Sequence, residues 1–310
     1  MQKIGHPSWR STAADFLTQR NFILFCIIPL LLFLILTSVI PGILALADSM
    51  TAWNLTAFGS QNRFVGLDNY RKLLGDDPQF WGSLGRTALF VLVVVPIEFA
   101  LGLLIALYLL DPFPGRRLVL TLVMIPTMIA PVVVAMTWRF LMMPTFGLFT
   151  YYLRQLGFLS EGSVFSGEIS AMATLMVIDI WEWTPFMMLI LLSGLSAMPK
   201  EPIEAAQMDG ASPLQILFHI QIPLLRPLII VAVLFRSIDA SKIFDTIYVL
   251  TGGGPGADAT ESITLFAHKT TFVTWQLGYG AAVCQVLVLF AVIAAALFYT
   301  AVARNQRSAS

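Results

Sequence analysis

Residues 202–224 read PIEAAQMDGASPLQILFHIQIPL, a polar segment between two apolar runs of membrane-crossing length. Pro202 suits a first helical turn, and Ile203 to Met208 are good helix formers in which Ala205 and Ala206 leave one surface thin enough for close approach. Gly210 is placed to take a left-handed turn that stops this helix. Ser212 followed by Pro213 reads as an N-cap and first-turn proline for a second helix, expected to run to about Ile222 before Pro223 breaks it. On that helix Leu214, Leu217 and Phe218 share one face, and Gln215 and His219 another. Two short amphipathic helices with a sharp corner follow from these residues. Such a corner can lie on lipid as a connector, or dock as a compact knob into a groove on a soluble partner and pass force to the flanking helices.

The composition around this segment is that of an integral membrane protein. Of 310 residues 57% are hydrophobic and 12% charged, with a mean hydropathy of +0.81, far from the norm of soluble domains. Net charge is zero and no basic cluster stands out, so nothing points to nucleic acid. Cys26 and Cys284 sit inside apolar runs without metal spacing, which argues against both a zinc site and a disulfide. His6, His219 and His268 lie outside the apolar windows, and no nucleophile-base arrangement is legible, so neither a catalytic residue nor a metal is expected. Ala45-Leu46-Ala47 before Asp48 mimics a signal cleavage site, yet the apolar run from Phe22 to Ala47 is too long for a signal core and reads as a retained helix.

Six windows are long and apolar enough to span: about 22–47, 87–110, 118–143, 170–192, 227–250 and 280–303. Lipid offers no partner to a bare amide, so these are expected to be helices, giving an all-α fold with a tail at 1–21, a membrane domain at 22–303, a loop at 196–226 and a tail at 304–310. With both termini inside, Lys3, Arg10, Arg20, Arg116, Arg117, Lys200, Arg226, Arg304 and Arg307 fall on the cytoplasmic side. Arg63, Arg71, Lys72, Arg86, Arg154 and Lys269 fall on the other. That bias favours cytoplasmic termini and puts the 202–224 corner in the cytoplasm. The outer connections, about 48–86, 144–169 and 251–279, are too short for domains but long enough to dock a partner.

The order Glu204-Ala205-Ala206-x-x-Asp209-Gly210-Ala211, then Ile220-x-Ile222-Pro223 and Pro227, resembles the EAA loop of permease subunits in ABC importers. The stretches LTGGGP at 250–255, Trp138 to Gly157 and Trp183 to Glu201 are similar to maltose-type carbohydrate permeases, and together the resemblance covers most of residues 85–300. It implies a type I importer fold of six helices, in which Glu204, Ala205, Ala206, Asp209, Gly210 and Ala211 form a coupling helix seated in an ATPase cleft. Leu214 and Leu217 stand where many relatives have an aromatic, so Phe218 is expected to supply that packing. Gly252 to Gly256 gives positive-φ backbone at a span exit but lacks the Lys-Ser/Thr of a nucleotide loop, so the chain itself is expected to bind no cofactor. ATP and Mg would be used by two partner ATPases.

Ionisable groups deep in a bilayer cost at least ~2–3 kcal/mol unless paired or wetted. Counting along the spans places Glu98, Asp179, Glu182, Arg236 and Asp239 in the middle third, with Arg139 and Asp245 nearer the outer interface. Arg236, Asp239, Lys242 and Asp245 recur every third residue with alternating sign, and can either pair along one helix or face an aqueous cavity. Asp179 and Glu182 share a face and can partner Arg236 or Lys242 across the bundle. Glu98 is expected to brace the bundle through a neighbouring donor. Trp181, Trp183 and Phe186 lie near Pro185, where a kink is expected, and form either a packing cluster or planes for sugar C–H patches. The resemblance carries substrate contacts onto Asp179, Glu182, Trp183, Phe186, Arg236, Asp239, Ala240 and Ile243.

The expected partners, again by resemblance, are a homologous second permease in a heterodimer, the ATPase pair, an extracytoplasmic binding protein, membrane lipid and a carbohydrate ligand, in a bacterial inner membrane. A permease for another small polar solute, or a secondary carrier independent of ATP, are the rival readings. The second leaves the loop from Glu204 to Pro223 without a role.

Overall fold

A computed structural model describes residues 19–60, 63–159, 162–256 and 258–308. Most of the expected N-terminal tail, with Lys3, His6 and Arg10, and the last two residues of the C-terminal tail lie outside the described residues, as does the side chain of Cys26. Within the described residues the chain is helical, and its only paired extended backbone is an isolated bridge between Thr51 and Phe64.

Helix α1 (Gln19–Leu34) passes through a π turn at Ile35–Val39 into α2 (Ile40–Ser49). Helix α3 (Pro78–Tyr108) starts where Asp77 accepts hydrogen bonds from the amides of Gln79 and Phe80, with Pro78 in the first turn, where no N–H is needed. The third apolar window is not one helix. It divides into α4 (Arg116–Met124), a 3-10 turn at Pro126–Met128 and α5 (Pro131–Leu141). Two prolines cause this: Pro131 drives Ala130 into extended backbone, and Pro126 withdraws a donor from the preceding turn.

Helix α6 (Glu168–Ser196) is continuous through Pro185. The loop supplies α7 (Glu201–Met208) and α8 (Pro213–Ile216), followed by a π turn at Leu217–Gln221 and α9 (Ile222–Ala240). Pro223 therefore does not break the second loop helix, which runs on into the fifth span. In the wide turn the amide of Ile222 bonds back to the carbonyl of Leu217, and this i to i−5 pairing absorbs the missing proline donor. The fifth span instead ends at Ala240, ten residues before the expected boundary, and α10 (Asp245–Leu250) follows a turn. Helix α11 (Ile263–His268) and helix α12 (Leu277–Ser308) complete the chain.

Four stretches, Ile27–Ser49, Pro78–Tyr108, Glu168–Ser196 and Pro213–Leu250, are long and apolar enough to cross a membrane. Helices α3 and α6 form the central pair. They approach at Gly102, where a Cβ would stand 2.9 Å from the backbone nitrogen of Met188, so only glycine permits this crossing. Leu103, Ala106, Met187, Leu191, Leu195 and Leu225 fill the core towards the loop end, joined by Ala232 of α9. Phe90, Val94, Leu175, Ile178 and Ile247 fill it towards the other end. Large apolar side chains such as Leu92, Leu104, Val177 and Phe235 point outward, as they do where the solvent is lipid.

Candidate functional site

The loop is built as a rigid corner. Gly210 adopts φ +79°, and the amide of Ala211 bonds to the carbonyl of Ala206, which closes α7 in the left-handed manner its glycine requires. Ser212 and Gln215 form a reciprocal capping box at the start of α8: the amide of Gln215 donates to the Ser212 hydroxyl, and the amide of Ser212 donates to the Gln215 side chain at 2.7 Å. Glu204, Ala205, Asp209 and Gly210 are exposed, while Ala206 and Ala211 are half-buried. Phe218 is 60% exposed, and Met208 and Leu214 are exposed as well. Phe218, Met208 and Leu214 thus leave three large apolar side chains exposed on a short polar corner. From Pro213 the helix rises without a break, other than the π turn, to Arg236, a distance of ~35 Å at 1.5 Å per residue.

At the far end of that rise lies a buried charge cluster. Arg236 is 1% exposed and makes four hydrogen bonds through its guanidinium. Its Nε and Nη2 donate to the two carboxylate oxygens of Glu98 at 2.8 and 2.9 Å, Nη1 donates to Asp239 at 3.1 Å, and Nη2 also donates to Asp179. The fork on Glu98 is the bidentate geometry that a planar guanidinium favours. The Trp183 ring covers the guanidinium at 4.9 Å, adding a cation-π contact. Three long helices are thus joined at one point: α3 through Glu98, α6 through Asp179 and Trp183, and α9 through Arg236 and Asp239.

The eight expected ligand contacts are not equivalent in space. Asp239, whose side chain is 41% exposed, Trp183 and Phe186 are accessible. Arg236, Asp179 and Glu182 are buried, Ala240 packs in the core beside α3 and α6, and Ile243 belongs to the core towards the other end. Glu182 has no ion-pair partner among the described residues, but its carbonyl accepts a hydrogen bond from Thr127 in the break of the third window. Irregular backbone at membrane depth is tolerated where it is held in this way by neighbouring protein. Along α9 only the first rung of the alternating ladder forms, Arg236 with Asp239. Lys242 and Asp245 have no ion-pair partner among the described residues, because the helix ends before them. Trp181 faces elsewhere and packs edge-on against Trp138.

A second cluster was not read from the sequence. Glu261 is fully buried, and its carboxylate receives Gln79 at 3.0 Å and Ser83 at 3.3 Å and pairs with Lys269 at 3.0 Å. Arg86 donates to its carbonyl at 3.0 Å. The glycine string beside it turns at Gly252, Gly253 and Gly256, all at positive φ, and is pinned where the Thr260 amide donates to the Gly253 carbonyl. A lone glutamate amid small residues of the 251–276 connection was the available signal.

The sequence profile of the family described as "Binding-protein-dependent transport system inner membrane component" matches residues 98–308. The chain belongs to this family. Its members are membrane components of transport systems, so the chain is a transport subunit rather than an enzyme. The matched region contains both the loop corner and the Arg236 cluster, and its first residue is Glu98. The chain is 40% identical over 250 residues to the trehalose/maltose transport system permease protein MalF of Thermococcus litoralis, covering 81% of this chain and 83% of that one. It is 36% identical over 251 residues to a probable ABC transporter permease protein of Sinorhizobium fredii, covering 81% and 80%. Its fold matches a chain of a bacterial ABC transporter involved in the import of the acidic polysaccharide alginate with a TM-score of 0.77 at 20% identity, over 96% of this chain and 99% of that one. As a family permease with this fold, the chain has the all-helical type I architecture that its EAA-like loop implied.

Proposed function

We propose that this permease forms half of the translocation pathway of an ATP-driven importer for a sugar, polyol or related carbohydrate. The exposed corner at Glu204 to Ala211, with Phe218, seats in a cleft of an ATPase subunit. A second permease supplies the other half of the pathway, two ATPases use ATP and Mg on the cytoplasmic side, and an extracytoplasmic binding protein delivers ligand. Both termini are cytoplasmic in this arrangement. One observation carries the reading: the second helix of the corner runs, through one π turn, into the helix whose Arg236 ties three spans together. Movement of the corner is thereby imposed on the helix that carries Asp239.

The trehalose/maltose relative supports a carbohydrate ligand. So does the accessible trio of Asp239, Trp183 and Phe186, where a carboxylate oxygen beside aromatic faces suits a hydroxyl rim and a C–H patch. Around Arg236, three carboxylates stand against one guanidinium, with Glu182 close behind, and this negative balance favours a neutral ligand over an anionic one.

In the reconstituted transporter, Gly210→Pro is expected to leave ATPase subunits active but to remove ligand-dependent stimulation and uptake, because proline cannot adopt φ +79°. Glu204→Lys is expected to act in the same direction. Wild-type coupling in both variants would take the docking role away from this corner. Asp239→Asn is expected to raise the ligand concentration for half-maximal uptake about tenfold, the worth of one hydrogen bond to a charged group, with assembly unchanged. An unaltered concentration dependence moves the ligand away from Asp239.

A further inference from the structure

We infer that the cavity between the loop corner and the bundle binds a phosphorylated sugar from the cytoplasmic side and thereby holds the corner in place. The cavity, of about 760 Å3, is walled by the end of α3 and the start of α4, by the end of α6, and by α7, α8 and the π turn that follows. On α7 it uses the face of Ile203 and Gln207, one turn apart. Glu204, Ala205 and Asp209, which are exposed on the corner, do not line it. A partner seated on those residues leaves the cavity in place.

Gln221 points to a ligand. It is 9% exposed, lines the cavity, and its amide has no hydrogen-bond partner among the described residues. A buried amide is costly unless something pairs with it. The side chains of Ser196 and Gln207, also in the lining, make no hydrogen bond among the described residues either. The charges select an anion: Arg116 and Lys200 line the cavity against Asp111 alone, and none of the three has an ion-pair partner among the described residues. Arg116 is fixed where its Nε donates to the carbonyl of Leu109 at 2.6 Å, and the two terminal nitrogens of its fork are left over.

A phosphate monoester carries about two negative charges at pH 7, which a guanidinium fork and an ammonium together match. The amides of Gln207 and Gln221 and the hydroxyl of Ser196 suit a rim of sugar hydroxyls, while Leu110, Leu195 and Leu217 give an apolar floor for C–H groups. No aromatic ring lines the cavity among the described residues, so a nucleotide base finds no stacking surface there. A ligand held by Arg116 and Gln207 at once ties α7 to the start of α4 and opposes displacement of the corner. Phosphorylation of an imported sugar in the cytoplasm supplies such a ligand, and the effect is product inhibition of uptake. The inhibition rests on the proposed coupling role of the corner; the binding does not.

The test is equilibrium dialysis of radiolabelled glucose 6-phosphate against the assembled transporter in phosphatidylcholine nanodiscs, with the ligand-stimulated ATPase rate read on the same preparation. Glucose 6-phosphate is expected to bind and to lower the stimulated rate, with glucose and inorganic phosphate each competing about tenfold less well. Lys200→Gln is expected to weaken binding about tenfold, the worth of one charge-assisted hydrogen bond, and Gln221→Leu about fivefold. Should Gln221→Leu not accumulate, Lys200→Gln decides alone, since it alters an exposed side chain. Binding that ignores Lys200→Gln overturns the proposal, and so does inorganic phosphate competing as well as the sugar phosphate. Binding lost when the nanodiscs are made with phosphatidylglycerol also overturns it, with a lipid headgroup as the occupant. Binding that leaves the stimulated rate unchanged overturns the inhibition, unless Gly210→Pro also fails to uncouple, in which case the coupling role itself has failed.

Discussion

Arg236→Met is expected to lower the stability of the folded chain by about 3–5 kcal/mol, the cost of removing one partner from a buried ion pair. The side chain that replaces the guanidinium is apolar and of similar length, so packing volume is largely kept. What is lost is the only cation paired with Glu98 and Asp179 among the described residues, both carboxylates being buried, and the hydrogen bonds to Glu98 at 2.8 and 2.9 Å. Those carboxylates must then take up protons, admit water or drive α3, α6 and α9 apart. Arg236→Lys is expected to recover only part of the loss, because an ammonium cannot serve Glu98, Asp179 and Asp239 along the directions of a planar fork. Adding Glu98→Gln to Arg236→Met is expected to restore some stability relative to Arg236→Met alone, since one of the two uncompensated charges disappears with it and Asp179 remains. Thermal unfolding of the solubilised transporter and the amount of chain in the membrane report all three. A single Arg236→Met variant within ~0.5 kcal/mol of the parent would mean the cluster is solvated rather than dry.

Glu261→Ala is expected to release the connection between α10 and α12. The fully buried carboxylate satisfies Gln79, Ser83 and Lys269 at once, and Arg86 is held on the carbonyl of the same residue. Alanine leaves Arg86 and Lys269 without the anion they share, at a cost of ~3 kcal/mol in the range for breaking a buried pair. The loss is local. Hydrogen exchange should accelerate across residues 258–268 and the first two turns of α3, while the α3–α6 crossing at Gly102 keeps its protection. Glu261→Gln can still accept from Gln79 and Ser83 and is expected to fall between the two. Unchanged exchange in Glu261→Ala would show that the apolar contacts of Ile263 and Phe266 hold this segment without the charges.

The loop was legible in the sequence because its determinants are local. Gly210, the Ser212 cap and the prolines at 202 and 213 act within a few residues of themselves, and each appears in the structure where the pattern placed it. Pro223 misled because a proline donor can be absorbed by a π turn, which depends on the backbone before it rather than on the residue type. The every-third-residue charges from Arg236 to Asp245 misled because their period assumes a helix that ends at Ala240. Glu98 was expected to brace the bundle through a donor, and Arg236 is that donor. Glu261 gave no periodic signal, since its partners come from residues more than 170 positions away in the chain for Gln79, Ser83 and Arg86.

The sequence by itself determined that the chain is a helical membrane protein and where its polar corner turns, because hydropathy, caps and glycine conformations are set over one or two turns of backbone. Only the tertiary structure decided which charges neutralise each other. A carboxylate at membrane depth must find a partner, but whether that partner is three residues or 138 residues away depends on which helices cross at its level. The same crossing separates Arg236, enclosed as a structural pin, from Asp239, one turn further along and partly exposed.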